Sequence, residues 1–173
     1  MRIKLKLLAG QKIAATLTAI CLLSACGYHL RGDFQLPNEL KSIFLEGESA
    51  ELHGHFSKII EASSGQLLSS KEKAGVVIRI FNEKLLRRVL SLSVRGRAND
   101  FELDYRLEYE IANAKNSNLL PRQAVQVKRE YFNDQQDIIA KDNEEIVIRD
   151  EMYQQAVRTI INRARVAVET AAK

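Results

Sequence analysis

Cysteine is almost missing from this 173-residue chain: Cys21 and Cys26 are the only two, and nothing beyond residue 26 can form a disulfide. Whatever fold the rest adopts must hold by packing alone. Long apolar runs are missing too. The longest, Ile13 to Leu23, has eleven residues, where a membrane-crossing helix needs roughly 20. A net charge is missing from the body of the chain. The excess of 26 Lys+Arg over 22 Asp+Glu comes entirely from Arg2, Lys4, Lys6 and Lys12, and residues 26 to 173 carry 22 of each sign. Binding of a nucleic-acid duplex through phosphate neutralisation is therefore not expected. Metalloprotease His-Glu-x-x-His, hydrolase Gly-x-Ser-x-Gly and phosphate-binding Gly-x-x-x-x-Gly-Lys patterns do not occur. Of the three histidines, His29 stands apart, and His53 and His55 lie roughly 200° apart on a helix. No metal site, cofactor or catalytic residue is expected, and the chain does not read as an enzyme.

What is present begins with a basic segment ending at Lys12, followed by the short apolar run and then Leu23-Ser24-Ala25-Cys26. This is a secretory signal of residues 1–25, and its end resembles the lipobox of bacterial lipoproteins. Cleavage before Cys26 discards Cys21 and leaves Cys26 to carry an N-acyl chain and an S-diacylglycerol. Several acyl chains hold a protein to a membrane where one would not. Gly27 follows the cysteine where an Asp would mark inner-membrane retention, which points to the periplasmic side of an outer membrane. Residues 26–38 read as an extended, lipidated leader, and 39–173, with 46% hydrophobic residues over the whole chain, as one domain.

Within the domain, Ser42 to Glu46 reads as a buried strand stopped by Gly47. Leu52, Phe56 and Ile59 recur at helical spacing, with Ser49 as N-cap and Gly65 past the end. From Phe101 to Ile111 every odd residue is apolar and every even one charged, the pattern of a half-buried antiparallel strand. Before it, Val76, Ile78, Ile80, Leu86, Leu90, Leu92 and Val94 are all even, with room for a bulge at Asn82 to Lys84. A turn at Arg95 to Ala98 joins the two, and pairing Val94 with Asn99 would set Leu92 opposite Phe101 and Leu90 opposite Leu103, on one face. Val125, Val127 and Tyr131 alternate in another strand. Ile139, Ile146, Tyr153, Ile160 and Ala167 then recur every seven residues, flanked by Met152, Ala156, Val157, Ala164 and Val168. No Gly or Pro interrupts residues 134–173, so one amphipathic helix of about 30 residues is expected. The economical architecture is α+β, a two-layer sandwich of two helices on a roughly four-stranded mixed sheet. There is no internal repeat.

Arg87, Arg88, Arg95 and Arg97 fall in a stretch with no acid. They could present guanidinium forks to phosphate, or simply solvate a hairpin and protect its edge, which is the more economical reading. Lys141 reads as an ordinary charge at a helix start, and Glu144-Glu145 as solvated carboxylates pointing in different directions. Tyr105, Tyr109, Tyr131 and Tyr153 occupy apolar phases and are expected in the core.

Two stretches together, Cys26-Gly27-Tyr28-His29-Leu30-Arg31-Gly32 and Ala140-Lys141-Asp142-Asn143-Glu144 followed by Ile148-Arg149-Asp150-Glu151-Met152-Tyr153, resemble the lipopolysaccharide-assembly lipoprotein (LptE) family over nearly the whole mature chain. The resemblance implies an α/β plug inside the LptD β-barrel, a heterodimer that assists barrel assembly and binds lipopolysaccharide. It also implies a binding role for Lys141 and for an arginine just before the hairpin glycine, which alignment puts at Arg95 with one place of offset, so that Arg95 and Arg97 share the assignment. The longer polar tail of some members has no counterpart after Lys173. The competing expectations are an adaptor subunit of another envelope machine, for barrel insertion or phospholipid traffic, and a lipid-anchored enzyme.

Overall fold

The computed structural model describes residues 36–132 and 138–171, except for the side chains of residues 138–143. The signal segment, Cys26 and the leader as far as Gln35 lie outside the described residues, and so does the side chain of Lys141. The order of elements is β1 (Ser42–Glu46), α1 (Ala50–Ala62), β2 (Gln66–Leu67), β3 (Val76–Leu92), β4 (Ala98–Asn113), β5 (Asn118–Phe132) and α2 (Ile138–Ala171). The strands form one mixed sheet in the order β2-β1-β3-β4-β5, with β1 parallel to β2 and β3 and the others antiparallel. Both helices contribute to one core, in the expected α+β arrangement. The fifth strand, β2, has two residues and is too short to leave a pattern in the sequence.

Burial follows the periods that the sequence carries. Leu103, Tyr105, Leu107, Tyr109 and Ile111 of β4 are buried, as are Val125, Val127 and Tyr131 of β5. Leu52 and Phe56 of α1 pack with them, joined by Ile60 where the spacing pointed to Ile59, which is only partly buried, and so do Met152, Ala156, Val157, Ile160, Ala164 and Val168 of α2. Leu36 already belongs to this core, so the domain takes hold of the chain before its first strand. Gly75 marks the tightest approach: a Cβ there would lie 2.2 Å from the carbonyl oxygen of Glu39.

The register of β3 on β4 departs from expectation. Val89 lies opposite Phe101, Arg87 opposite Leu103 and Leu92 opposite Ala98. The anticipated bulge is present, with Asn82 at φ +53° and an extra β3 residue between the Phe81 and Lys84 pairings. Asn and Asp tolerate that left-handed backbone better than most side chains do. Because side chains alternate, one inserted residue reverses every position after it. Ile78 and Ile80 face the helices, while beyond the bulge Leu85, Arg87 and Val89 take that face, opposite Tyr105, Leu103 and Phe101. Leu86 turns to the other side, opposite Asp104. The single apolar row read from the sequence is therefore split between two faces.

The bulge also aims Glu83 at the start of α1. Its carboxylate accepts hydrogen bonds from the backbone N–H of Ser49 at 2.9 Å, the Ser49 hydroxyl at 2.8 Å and the Tyr105 hydroxyl at 2.9 Å. Ser49 Oγ in turn accepts from Leu52 N at 3.2 Å, the cap that the sequence indicates. Burial, reinforced by Glu83, pushes the Tyr105 phenol far above its ordinary range.

His53 and His55 do not converge on a ligand. His53 lies 2.9 Å from Glu48 on the surface, whereas His55 stacks on Tyr153 with ring centres 5.2 Å apart and lies 3.5 Å from Asp150. Desolvation between α1 and α2 lowers the His55 pKa, Asp150 opposes that shift and Lys58 adds to it. The unfolded chain therefore takes up this proton more readily, and stability is lost as pH falls through the window from about 6.5 down to the depressed folded value. Thermal melts at pH 7.5 and 5.5 should show a loss of stability that is smaller in His55→Phe, a variant that keeps the stack and cannot titrate. An equal loss in both proteins would remove His55 from the account.

Candidate functional site

The end of the sheet that carries the β3–β4 turn differs from the rest of the surface. Gly96 at φ +71° closes the turn, with its N–H donating to Ser93 O at 2.9 Å, while Ser93 N donates to Arg97 O at 2.7 Å and Arg97 N to Ser93 Oγ at 3.3 Å. A tight turn held this way presents Arg95 and Arg97, both exposed, at its tip.

The four arginines that the sequence groups together do not stay together. Arg87 crosses to the helix side, where its guanidinium lies 3.7 Å from the centre of the Phe101 ring and its Nε 3.3 Å from Glu145. Arg88 takes the other side, with Nε 2.7 Å from Glu102. The stretch lacks acids locally, and the tertiary structure supplies them from β4 and α2.

Glu145 does not behave as a solvated carboxylate. It is buried, accepts hydrogen bonds from the Tyr131 hydroxyl and from Arg149, and faces Arg87. Burial pushes its carboxyl up, but Tyr131, Arg149 and the Arg87 charge outweigh that and hold it below the usual range. Desolvation and the neighbouring carboxylate raise the Tyr131 phenol to about 12. This cluster occupies the sheet-facing line of α2 at a position where an apolar residue was expected. Ile146, one step around the helix, is consequently 64% exposed instead of continuing the buried stripe. Phe101 stacks on Tyr131 with ring centres 5.6 Å apart and completes the contact.

Lys141 lies on α2 one turn before Glu145, in the part of the helix that leads toward the hairpin turn. The helix start and the turn with Arg95 and Arg97 thus belong to the same end of the domain. The opposite sheet face carries a second set of charges. Glu102 and Asp104 are only 5% and 4% exposed under Arg88, Arg106, Lys128 and Gln126. Burial raises the Asp104 carboxyl, but hydrogen bonds from Gln126 and Arg106 prevail and hold it low. These pairs spend their charge on one another.

What the sequence did not reveal is how much apolar surface this end leaves uncovered. Among the described residues nine large apolar side chains are exposed, and eight of them, Leu86, Val89, Leu90, Leu92, Val94, Phe132, Ile146 and Val147, lie on β3, in the turn after it, at the end of β5 or in the early turns of α2. They are divided between the two faces of the sheet, with Leu86 on the side of Asp104 and Val89 on the side of Phe101. The usable signal was the bulge, whose parity change moves Leu86 out of the core. No three His, Cys, Asp or Glu side chains among the described residues could hold a metal ion together, and no described helix is long and apolar enough to cross a membrane.

A family model described as LptE, lipopolysaccharide-assembly, matches residues 35–164. The chain is 22% identical over 150 residues to the LPS-assembly lipoprotein LptE of Pectobacterium atrosepticum, covering 84% of this chain and 79% of that one. It is 25% identical over 147 residues to the LptE of Photorhabdus laumondii, covering 83% and 79%. Among solved structures, an uncharacterized lipoprotein B from Nitrosomonas europaea superposes with a TM-score of 0.68 at 25% identity, covering 83% of this chain and 93% of that one. The rare lipoprotein B from Shewanella oneidensis shares the fold, with a TM-score of 0.60 at 22% identity and coverage of 76% and 98%.

Proposed function

Because the chain belongs to the LptE family of lipopolysaccharide-assembly lipoproteins, we propose that it is a nonenzymatic outer-membrane lipoprotein, anchored through acyl chains on Cys26, that plugs and helps assemble the LptD β-barrel and contacts lipopolysaccharide with Arg95, Arg97 and Lys141. The observation that carries this reading is the exposed pair Arg95 and Arg97 on a closed turn, at the end of the domain where α2 begins with Lys141. Lipid A phosphates are dense anions, and a few guanidinium and ammonium groups suffice to meet them without making the whole domain basic. The face away from the helices, covered by Arg88, Glu102, Asp104, Arg106 and Lys128, suits a hydrated barrel lumen, where polar surfaces face one another.

Mild-detergent extraction of the tagged, lipidated chain should bring down a large outer-membrane β-barrel in equal amount. Recovery of an inner-membrane complex, a different barrel or the lipoprotein alone would overturn the plug reading. With Arg95→Glu and Lys141→Glu combined, the melting temperature should stay within about 2 °C of wild type, since Arg95 is exposed at the turn and Lys141 belongs to the first turn of α2. Lipopolysaccharide binding should weaken by at least about tenfold, the loss of one charged hydrogen bond or more. Unchanged binding would remove these residues from the site.

A further inference from the structure

We infer that the open edge of β5 is a strand-pairing surface for a second copy of this chain, and that Arg129 and Arg163 hold it closed by occupying its outward carbonyls. Three observations carry it.

The first is the edge itself. β5 is the last strand of the sheet and runs for 15 residues, whereas β2, on the other side, has two and offers little to pair with. Asn113 N donates to Ser117 O at 3.0 Å across the β4–β5 turn, so the odd residues of β4 turn their backbone groups toward β5. Pairs in that phase, such as Tyr109 with Gln123 and Leu107 with Val125, carry the ladder. Ala124, Gln126 and Lys128 lie in the alternate phase, and their N–H and C=O groups point away from the sheet. All three residues are exposed, and Pro121, of a type that edge strands tolerate, sits at the register shift just before them.

The second is an arginine clasp. Arg163 of α2 donates to Ala124 O at 3.3 Å, and Arg129 donates to Lys128 O at 2.9 Å while its other terminal nitrogen donates to Gln155 of α2 at 2.6 Å. From Gln155 to Arg163 the helix advances about 12 Å, and from Lys128 back to Ala124 the strand covers about 13 Å, so the two contacts keep step. Arg163 also donates to the Tyr109 hydroxyl at 3.2 Å, which fixes its guanidinium beside the strand. An added strand needs both carbonyls, and charged side chains lying on an edge oppose such addition.

The third is self-complementarity. Two copies of β5 placed antiparallel about Gln126 set Arg122 opposite Glu130 at both ends and Lys128 opposite Ala124 between them. On the exposed face opposite charges meet and like charges do not, which favours that pairing once the carbonyls are released.

The test uses the full lipidated chain in a mild detergent with micelles in excess, and reads self-association by sedimentation velocity over a range of protein concentrations. Wild type should run as single chains. Arg129→Ala combined with Arg163→Ala should lower the dissociation constant for pairing at least about tenfold, since each change frees a carbonyl that a charged donor had occupied. Each single variant should show a smaller increase in pairing, so a double variant that failed to fold would still leave two readings. Adding Gln126→Pro, which removes an outward N–H from the middle of the edge, should return the double variant to wild-type behaviour. Arg158→Ala, an exposed arginine of α2 outside both contacts, controls for the loss of positive charge and should leave the constant unchanged. Arginine variants that stay single, or an equal effect of Arg158→Ala, would overturn the clasp. Pairing that survives Gln126→Pro places the contact elsewhere and overturns the strand-pairing surface, and wild type that pairs as tightly as the double variant removes the arginines from it.

Discussion

Glu83→Ala is expected to lower the stability of the domain by about 3 kcal/mol, the sum of a buried hydroxyl left without an acceptor and a weakened helix start. The Tyr105 side chain is almost fully buried, and its hydroxyl has Glu83 as its acceptor. Removing the carboxylate strands that hydroxyl in the core and takes the acceptor from Ser49 N. For a domain of this size such a loss lowers the melting temperature by about 10 °C. Glu83→Ala with Tyr105→Phe has no stranded hydroxyl, so the pair should cost less than the sum of the single changes by about 1 kcal/mol or more, as contacting residues do in double-mutant cycles. Strict additivity would mean that the two side chains do not depend on each other. The experiment is a set of four thermal or urea melts.

Glu145→Ala is expected to cost about 2 kcal/mol, less than a fully buried ion pair would, because Arg87 and Arg149 are nearly half exposed and can regain water. The effect should be local. The first turns of α2 are held to the sheet through Glu145, Tyr131 and Arg87, so hydrogen exchange should speed up there first and leave the C-terminal half of the helix unchanged. The pH dependence has a definite sign. With its folded pKa held below the usual carboxylate value, Glu145 contributes stability that is present above about pH 4.5 and is lost as pH falls through the depressed value. Wild type should therefore lose more stability between pH 5 and pH 3 than Glu145→Ala does. Uniform exchange along α2, or parallel acid profiles, would contradict this role. Since Lys141 lies one turn before Glu145, the same variant should also weaken any ligand contact that requires the helix start to be docked.

Much of this could be read directly from residue order. The odd row of β4 from Leu103 to Ile111, the pair Val125 and Val127, and the stripe through Met152, Ala156 and Ile160 are local patterns, and each is buried as its period demands, with Phe101 half-buried at the row's edge. Ser49 as a cap is equally local. The positions of Arg95 and Arg97 at an exposed turn were legible because Gly96 and the polar run around it interrupt two apolar rows.

The sequence by itself determined the class of fold, the lipobox-like start and the polar tip of the hairpin, since propensity, period and short motifs each act over a few neighbours. Only the tertiary structure decided where the charges and the leucines go. One extra residue at the Asn82 bulge reverses the side chains of β3 from Lys84 to Val89, where a second shift follows, and the sequence permits that insertion without requiring it. Whether it occurs depends on partners far along the chain: Ser49 and Tyr105 for Glu83, Glu145 for Arg87, Glu102 for Arg88. Burying a charge is favourable only when those partners arrive, so no single stretch can reveal it. The same reversal leaves Leu86 outside the core, opposite Asp104.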